Sequence, residues 1–418
     1  MGPGKNTSIA TGVWVESGGI ALMTGLIHPV PGLRLATAAA GIRYQGRDDL
    51  ALLEASPGSS CAAVFTRNAF CAAPVVVARE HLRQAAPRYL LVNAGNANAG
   101  TGDAGIAAAG DCCARVAELA HCAAAEVMPF STGVIGEPLP VARVDAALPG
   151  LLDSLREDAW EAAARAIMTT DTVPKCLSRQ VRLAGRTITL TGIAKGVGMI
   201  KPDMATMLAF LATDALVAQD ELQSLLHEAV ADSFNAITVD GDTSTNDACV
   251  LLATGRSGQR VEGSDRQRFG EALGELCQEL ARLLIRDGEG ATRFVTIRVE
   301  QGRDREECRQ AAYTIAESPL VKTALFAGDP NWGRILAALG RAGLADLQVE
   351  RVSLFLDEIC IVQQGARATA YHEEQGQAVM ARPEITIRVV LGRGESSATI
   401  WSTDLSYDYV RINAEYRS

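Results

Sequence analysis

Short apolar runs alternate with amphipathic stretches along the whole chain. RYLLVNAG (88–95), RTITLTGIA (186–194), MLAFLAT (207–213), ACVLLATG (248–255), FVTIRVE (294–300), VSLFLDEICIV (352–362) and ITIRVVLG (385–392) have the composition of strands. Several are apolar at consecutive positions, so both of their faces must be covered. Apolar residues recur at three and four in Ala107–Ala124, Leu151–Met168, Ala218–Phe234 and Asp265–Ile285, which predicts helices. In the last of these Leu273, Leu276, Leu280, Leu283 and Leu284 form one stripe suited to a core. A further helix is predicted over Asn331–Ala342, capped by Asp329 or Asn331. Alternation of the two periodicities predicts a mixed α/β fold.

Two glycine-rich stretches interrupt the rhythm. NAGNANAGTGDAG (93–105) lies between a strand and a helix, where anion cradles occur, but it lacks nucleotide-binding spacing and suits a tight connection. DGEGAT (287–292) ends the long helix and opens a strand-rich third. At 418 residues the chain is long for a single core. The expected division is an extension over 1–30, a core over 31–290 and a C-terminal α/β domain over 291–418.

The net charge of -10, with no basic run, argues against a nucleic-acid groove. Ten cysteines are scattered without metal-ligand spacing, as expected of reduced thiols in a cytoplasmic protein. The patch GGIALMTGLI follows Glu16 and lacks a clean cleavage site, unlike a signal peptide. Pro3 and Asn6 disfavour myristoylation, and no apolar run reaches the ~18 residues of a membrane span. The acidic segment SFNAITVDGDTSTNDACVLL (233–252) suggests a calcium loop through Asp240, Asp242 and Ser244. It fails the pattern, because Thr245 and Leu251 stand where glycine and glutamate are needed. No metal site is expected.

The segment GIAKGVGMIKPDMATMLAFLAT (192–213) carries the most chemistry. Thr206 follows Ala205 just after a glycine-loosened loop and just before an apolar run. A strained amide before threonine is open to attack by the hydroxyl, and the ester then hydrolyses. Cleavage of Ala205–Thr206 would free an α-amino group of pKa about 7.7–8.0 that can serve as base for its own hydroxyl. The five histidines, at 28, 81, 121, 227 and 372, lie outside any triad-like context, which favours a self-based threonine. Acyl transfer also needs oxyanion donors, each worth about 3 kcal/mol. Thr132 and Gly133 in PFSTGVIGEPLP are candidates, although STG is also a common turn. Lys195 would ordinarily be a solvated strand end; near a threonine amine it would favour the neutral base and could hold a carboxylate.

These segments, with IMTTDTVPK (167–175), GEGAT (288–292), DPNWGRI (329–335) and INAEYRS (412–418), resemble the ornithine acetyltransferase family of arginine biosynthesis, also called bifunctional glutamate N-acetyltransferase. The resemblance runs from about Gly32 to Ser418. It implies a layered αββα sandwich, an α2β2 assembly of self-cleaved chains, a cytoplasmic location, and Thr206 as nucleophile with Thr132 and Gly133 as oxyanion hole. It further implies substrate binding by Lys195, Glu289, Asn413 and Ser418, and by Thr172 chosen from Thr169, Thr170 and Thr172. Ser418 stands where threonine is common, Gly100 where cysteine is expected and Asp203 where asparagine is commoner. The implied reaction moves acetyl from N2-acetyl-L-ornithine to L-glutamate without a cofactor, acetyl-CoA being a further possible donor. The competing expectations are a self-processing aminopeptidase or amidase of related fold, and an unprocessed metabolite-binding protein.

Overall fold

The protein is described from a computed structural model that covers residues 26–201 and 207–416, together with the backbone of an antiparallel hairpin, Val13–Ser17 and Ile20–Thr24, inside the expected extension. Ala205, Thr206 and Ser418, three of the candidate site residues, and Asp203 lie outside the described residues.

Two stacked sheets form the centre. One has four strands in the order Leu33–Ala38, Leu50–Ala55, Tyr89–Asn96, Val127–Val134. The other has five, ordered Ser60–Phe65, Ala248–Ala253, Leu208–Thr213, Arg186–Lys195, Lys175–Leu183. Strand side chains alternate between faces, and the apolar residues sort accordingly. Leu208, Phe210 and Ala212 join Leu53, Leu90, Val92 and Phe130 in the cluster between the sheets. Phe130 and Phe210 meet edge to face there, with ring centroids 5.1 Å apart. Ala209 and Leu211 point outward beneath the helices Gln219–Ala231 and Ser264–Arg286. On the other side Leu50, Leu52, Tyr89 and Leu91 pack under Gly102–Ala120 and Val141–Asp153. The architecture is therefore αββα, and double coverage explains why these strands are apolar at successive positions. A third sheet of six strands, with Ser353–Leu356 and Glu384–Val390 in the middle and Phe294–Gly302 beside the latter, shares the apolar cluster beneath Ser264–Arg286.

The helix expected over Leu151–Met168 is two helices, Val141–Asp153 and Trp160–Ala166. Between them the Arg156 N–H donates to the Leu35 carbonyl (3.0 Å) and the Leu35 N–H to the Arg156 carbonyl (2.8 Å). The intervening backbone thus extends the edge of the four-stranded sheet. The run 352–362 is a hairpin, Ser353–Leu356 and Ile359–Gln363, turned at Asp357 with φ of 47°. Among the described residues no helix is long and apolar enough to cross a membrane.

Gly133 fixes the approach of two parallel strands. It sits opposite Gly95 with φ of 131°, and a Cβ there would lie 2.3 Å from the Gly95 carbonyl carbon. Gly133→Ala is expected to cost at least about 2 kcal/mol from backbone strain and overlap; equilibrium unfolding in urea measures it, and an unchanged midpoint would show that the strands can separate freely.

Candidate active site

The register of the five-stranded sheet sets the site. Leu208 pairs with Lys195 on one side and with Ala248 on the other, so Lys195 and Asp247 flank the approach to Met207, the residue after Thr206. A cavity of about 130 Å³ opens there, lined among others by Thr132, Gly133, Lys195, Asp247, Glu289 and Asn413. These residues come from both central sheets, a loop and the C-terminal helix Tyr407–Glu415.

Lys195 is buried at 8% exposure rather than solvated. Its Nζ donates to the hydroxyls of Thr132 and Thr169, each at 3.0 Å, and thereby links the facing sheets. Burial lowers its pKa, while Asp171 draws it back up. Asn246 makes a second link: its amide donates to the carbonyls of Ala97 (2.6 Å) and Ser131 (3.0 Å), fixing the backbone beside Thr132.

Behind Lys195 lies a buried ionic group. The Lys175 ammonium bridges Asp171 and Asp287. Asp171 also accepts the Gly196 N–H (2.9 Å) and the Thr169 N–H (3.2 Å). Asp287 accepts the Thr172 N–H (3.0 Å) and the Thr172 hydroxyl. Thr172 therefore faces Asp287, whereas Thr169 and Thr170 line the cavity. Burial works to raise the Asp171 carboxyl, but the charges of Lys175 and Lys195 prevail and hold it well below the usual carboxylate range. Its contribution to stability is accordingly present above the unfolded value of about 4 and lost as pH falls through the depressed folded value. Lys175→Met, which leaves the buried Asp287 without its ammonium and Asp171 with only Lys195 at 4.0 Å, is expected to destabilise the protein by about 3–5 kcal/mol at neutral pH. Urea unfolding reads this directly, and a loss below about 1 kcal/mol would refute it.

Glu289 is anchored over the cavity. Its N–H donates to the Val197 carbonyl (2.8 Å) and its carboxylate accepts from the Asn413 amide (2.8 Å). A Cβ on Gly198 would lie 2.4 Å from a Glu289 carboxylate oxygen, so the glycine makes room for the acid. The acidic loop of 240–247 works as scaffold: Asp240 accepts the N–H groups of Met199 (2.6 Å) and Ile200 (2.9 Å). The glycine-rich 93–105 segment closes on itself, with the Asn98 amide donating to the Gly105 carbonyl (2.9 Å), as a tight connection does.

Thr132, Gly133, Lys195, Glu289 and Asn413 thus line one cavity, whereas Thr172, the threonine expected to contact substrate, does not, because its N–H and hydroxyl are spent on Asp287. Asp171, Lys175, Asp287, Asn246 and Asp247 were not singled out by sequence. Only the density of acids and hydroxyls in 233–252 pointed toward the last two.

A polar cavity with hydroxyl donors and a buried ammonium at the head of a central strand defines an enzyme of the αββα class suited to acyl-group chemistry. The chain belongs to the ArgJ family, whose model matches residues 34–418. It is 56% identical over 396 residues to the arginine biosynthesis bifunctional protein ArgJ of Pseudomonas fluorescens (strain Pf0-1), covering 94% of this chain and 98% of that protein. It is 60% identical over 393 residues to the protein of the same name from Methylococcus capsulatus, covering 93% of this chain and 96% of that protein. Among solved structures, ArgJ of Bacillus halodurans is 37% identical, with a TM-score of 0.48 over 50% of this chain and 98% of that one.

Proposed function

We propose that the protein transfers acetyl from N2-acetyl-L-ornithine to L-glutamate in arginine biosynthesis, through an acetyl ester on Thr206 formed after self-cleavage at Ala205–Thr206. The observation that carries this reading is the convergence of Thr132, Lys195, Glu289 and Asn413 on one cavity beside Met207. In this scheme the freed α-amino group of Thr206 accepts the hydroxyl proton as the donor's amide carbonyl is attacked, and ornithine leaves with the acetyl group retained on the threonine. Thr132 and Gly133 stabilise the oxyanion. The glutamate amine then attacks the ester and N-acetylglutamate leaves. The Glu289 carboxylate meets the side-chain amine of ornithine, Lys195 meets a substrate carboxylate, and Thr169, Asn413 and Ser418 complete the binding groups, Thr172 being turned away to Asp287. No cofactor enters the cycle, and acetyl-CoA is a further candidate donor. The mature enzyme is an α2β2 assembly in the cytoplasm.

Incubation of purified protein with acetylornithine and glutamate is expected to yield ornithine and N-acetylglutamate in equal amounts. Acetate in place of N-acetylglutamate would instead identify a hydrolase.

A further inference from the structure

We propose that Gly198 is a specificity-determining residue: by carrying no side chain it lets the Glu289 carboxylate seat at the depth that meets a donor amine at ornithine's chain length. The inference rests on the proposed pairing of Glu289 with the donor's side-chain amine, and adds what fixes its reach. The acid is held from several sides. Its own N–H donates to the Val197 carbonyl (2.8 Å), and the carbonyl of the next residue, Gly290, accepts the Ser406 hydroxyl (2.6 Å). The Asn413 amide donates both to the carboxylate (2.8 Å) and to the Tyr409 carbonyl of its own helix (3.0 Å). Gly198, Glu289 and Asn413 line the same cavity. The ammonium groups nearby are engaged elsewhere, Lys175 on Asp171 and Asp287 and Lys195 on Thr132 and Thr169. The Glu289 charge is therefore left for a ligand cation.

The carboxylate seats against bare backbone. A Cβ on Gly198 would stand 2.6 Å from the Glu289 carboxyl carbon and 2.8 Å from one of its oxygens, and the three atoms nearest to it all belong to that carboxyl. An added methyl must therefore displace the acid, by about 1 Å to restore ordinary contact. That shift is comparable with the reach one methylene adds to a donor side chain. Two residues earlier, Gly196 needs glycine for its own backbone, with φ of 139°. Gly198 lies outside the left-handed region and would accept alanine, so its missing side chain serves the carboxylate and not the turn. One methylene of mismatch in a shaped pocket is worth about 10–200-fold in kcat/KM, so the seat of the acid decides which donor fits.

Acetyl transfer to glutamate from N2-acetyl-L-ornithine and from N2-acetyl-L-lysine, which is one methylene longer, tests this on the full-length protein and its variants. Wild type is expected to prefer acetylornithine by at least about tenfold in kcat/KM, and Gly198→Ala to lower that preference about tenfold. In a Glu289→Asp background the shorter acid withdraws from Gly198, so adding Gly198→Ala should change the preference by less than about twofold. A wild type that does not discriminate overturns the proposal. So does a Gly198→Ala protein that loses activity on both donors by one common factor, or an equal effect of Gly198→Ala in both backgrounds. Should Gly198→Ala not fold or not cleave, the double variant G198A/E289D decides. Its recovery of two chains and of transfer supports the coupling, and continued failure shows that the glycine serves the backbone and refutes it. Wild-type protein that releases no ornithine from acetylornithine would sink the proposed function instead, so the two failures are distinguishable.

Discussion

Thr206→Ala is expected to run as a single full-length band and to lose acetyl transfer by a factor on the order of 10⁴ or more, because one side chain serves both as cleaving and as turnover nucleophile. Removing the hydroxyl abolishes the ester in each reaction, so both losses must appear together. Thr206→Ser retains the oxygen and should still yield two chains. A Thr206→Ala protein that is cut, or that is intact yet transfers acetyl at a wild-type rate, would separate the residue from the chemistry. A denaturing gel and an ornithine-release assay suffice to decide.

Lys195→Met should leave the fold standing and lower kcat/KM by about 10²–10³, the effect of losing a group that holds an oxyanion donor. The Nζ bonds to Thr132 and Thr169 join the two sheets at the cavity, so the variant frees the Thr132 hydroxyl to turn. Asp171 keeps its Lys175 partner, which limits the structural cost. The pH profile gives a second readout. Burial lowers the lysine's pKa, so the ammonium is lost as pH rises through a value below the ordinary lysine figure of about 10.4. Wild-type activity that depends on the cation should therefore decline on the alkaline side below that figure, and the variant's residual activity should lack this limb. An identical alkaline limb in K195M would assign the titration to another group.

Sequence made the central strands and the long helix legible because period-2 and period-3.6 patterns are local properties of the chain. MLAFLAT became Leu208–Thr213, and Asp265–Ile285 became Ser264–Arg286. The Asn331 cap is also present, its side chain accepting the Arg334 N–H. Other helices were missed despite usable signals. Asp304 caps Arg305–Ala316 by accepting the Glu307 N–H, and Ser318–Pro319 opens Pro319–Ala327. The break at 154–159 was hidden because its cause, Leu35, is over a hundred residues away. The site divides in the same way. Lys195 and Glu289 stood in short recognisable segments, whereas the Asp171–Lys175–Asp287 group exists only once the end of the Ser264–Arg286 helix packs against the 171–175 loop. Asp247 carried no signal apart from its acidic neighbourhood, since its buried place at the cavity wall is a property of packing.

The most direct test is intact-mass analysis of the purified protein after incubation with N-acetylornithine alone, followed by peptide mapping. The account predicts two chains, the downstream one beginning at Thr206 and heavier by a single acetyl group located on that residue, which disappears when glutamate is added. An acetyl group on any other residue, or a downstream chain with another first residue, would contradict it.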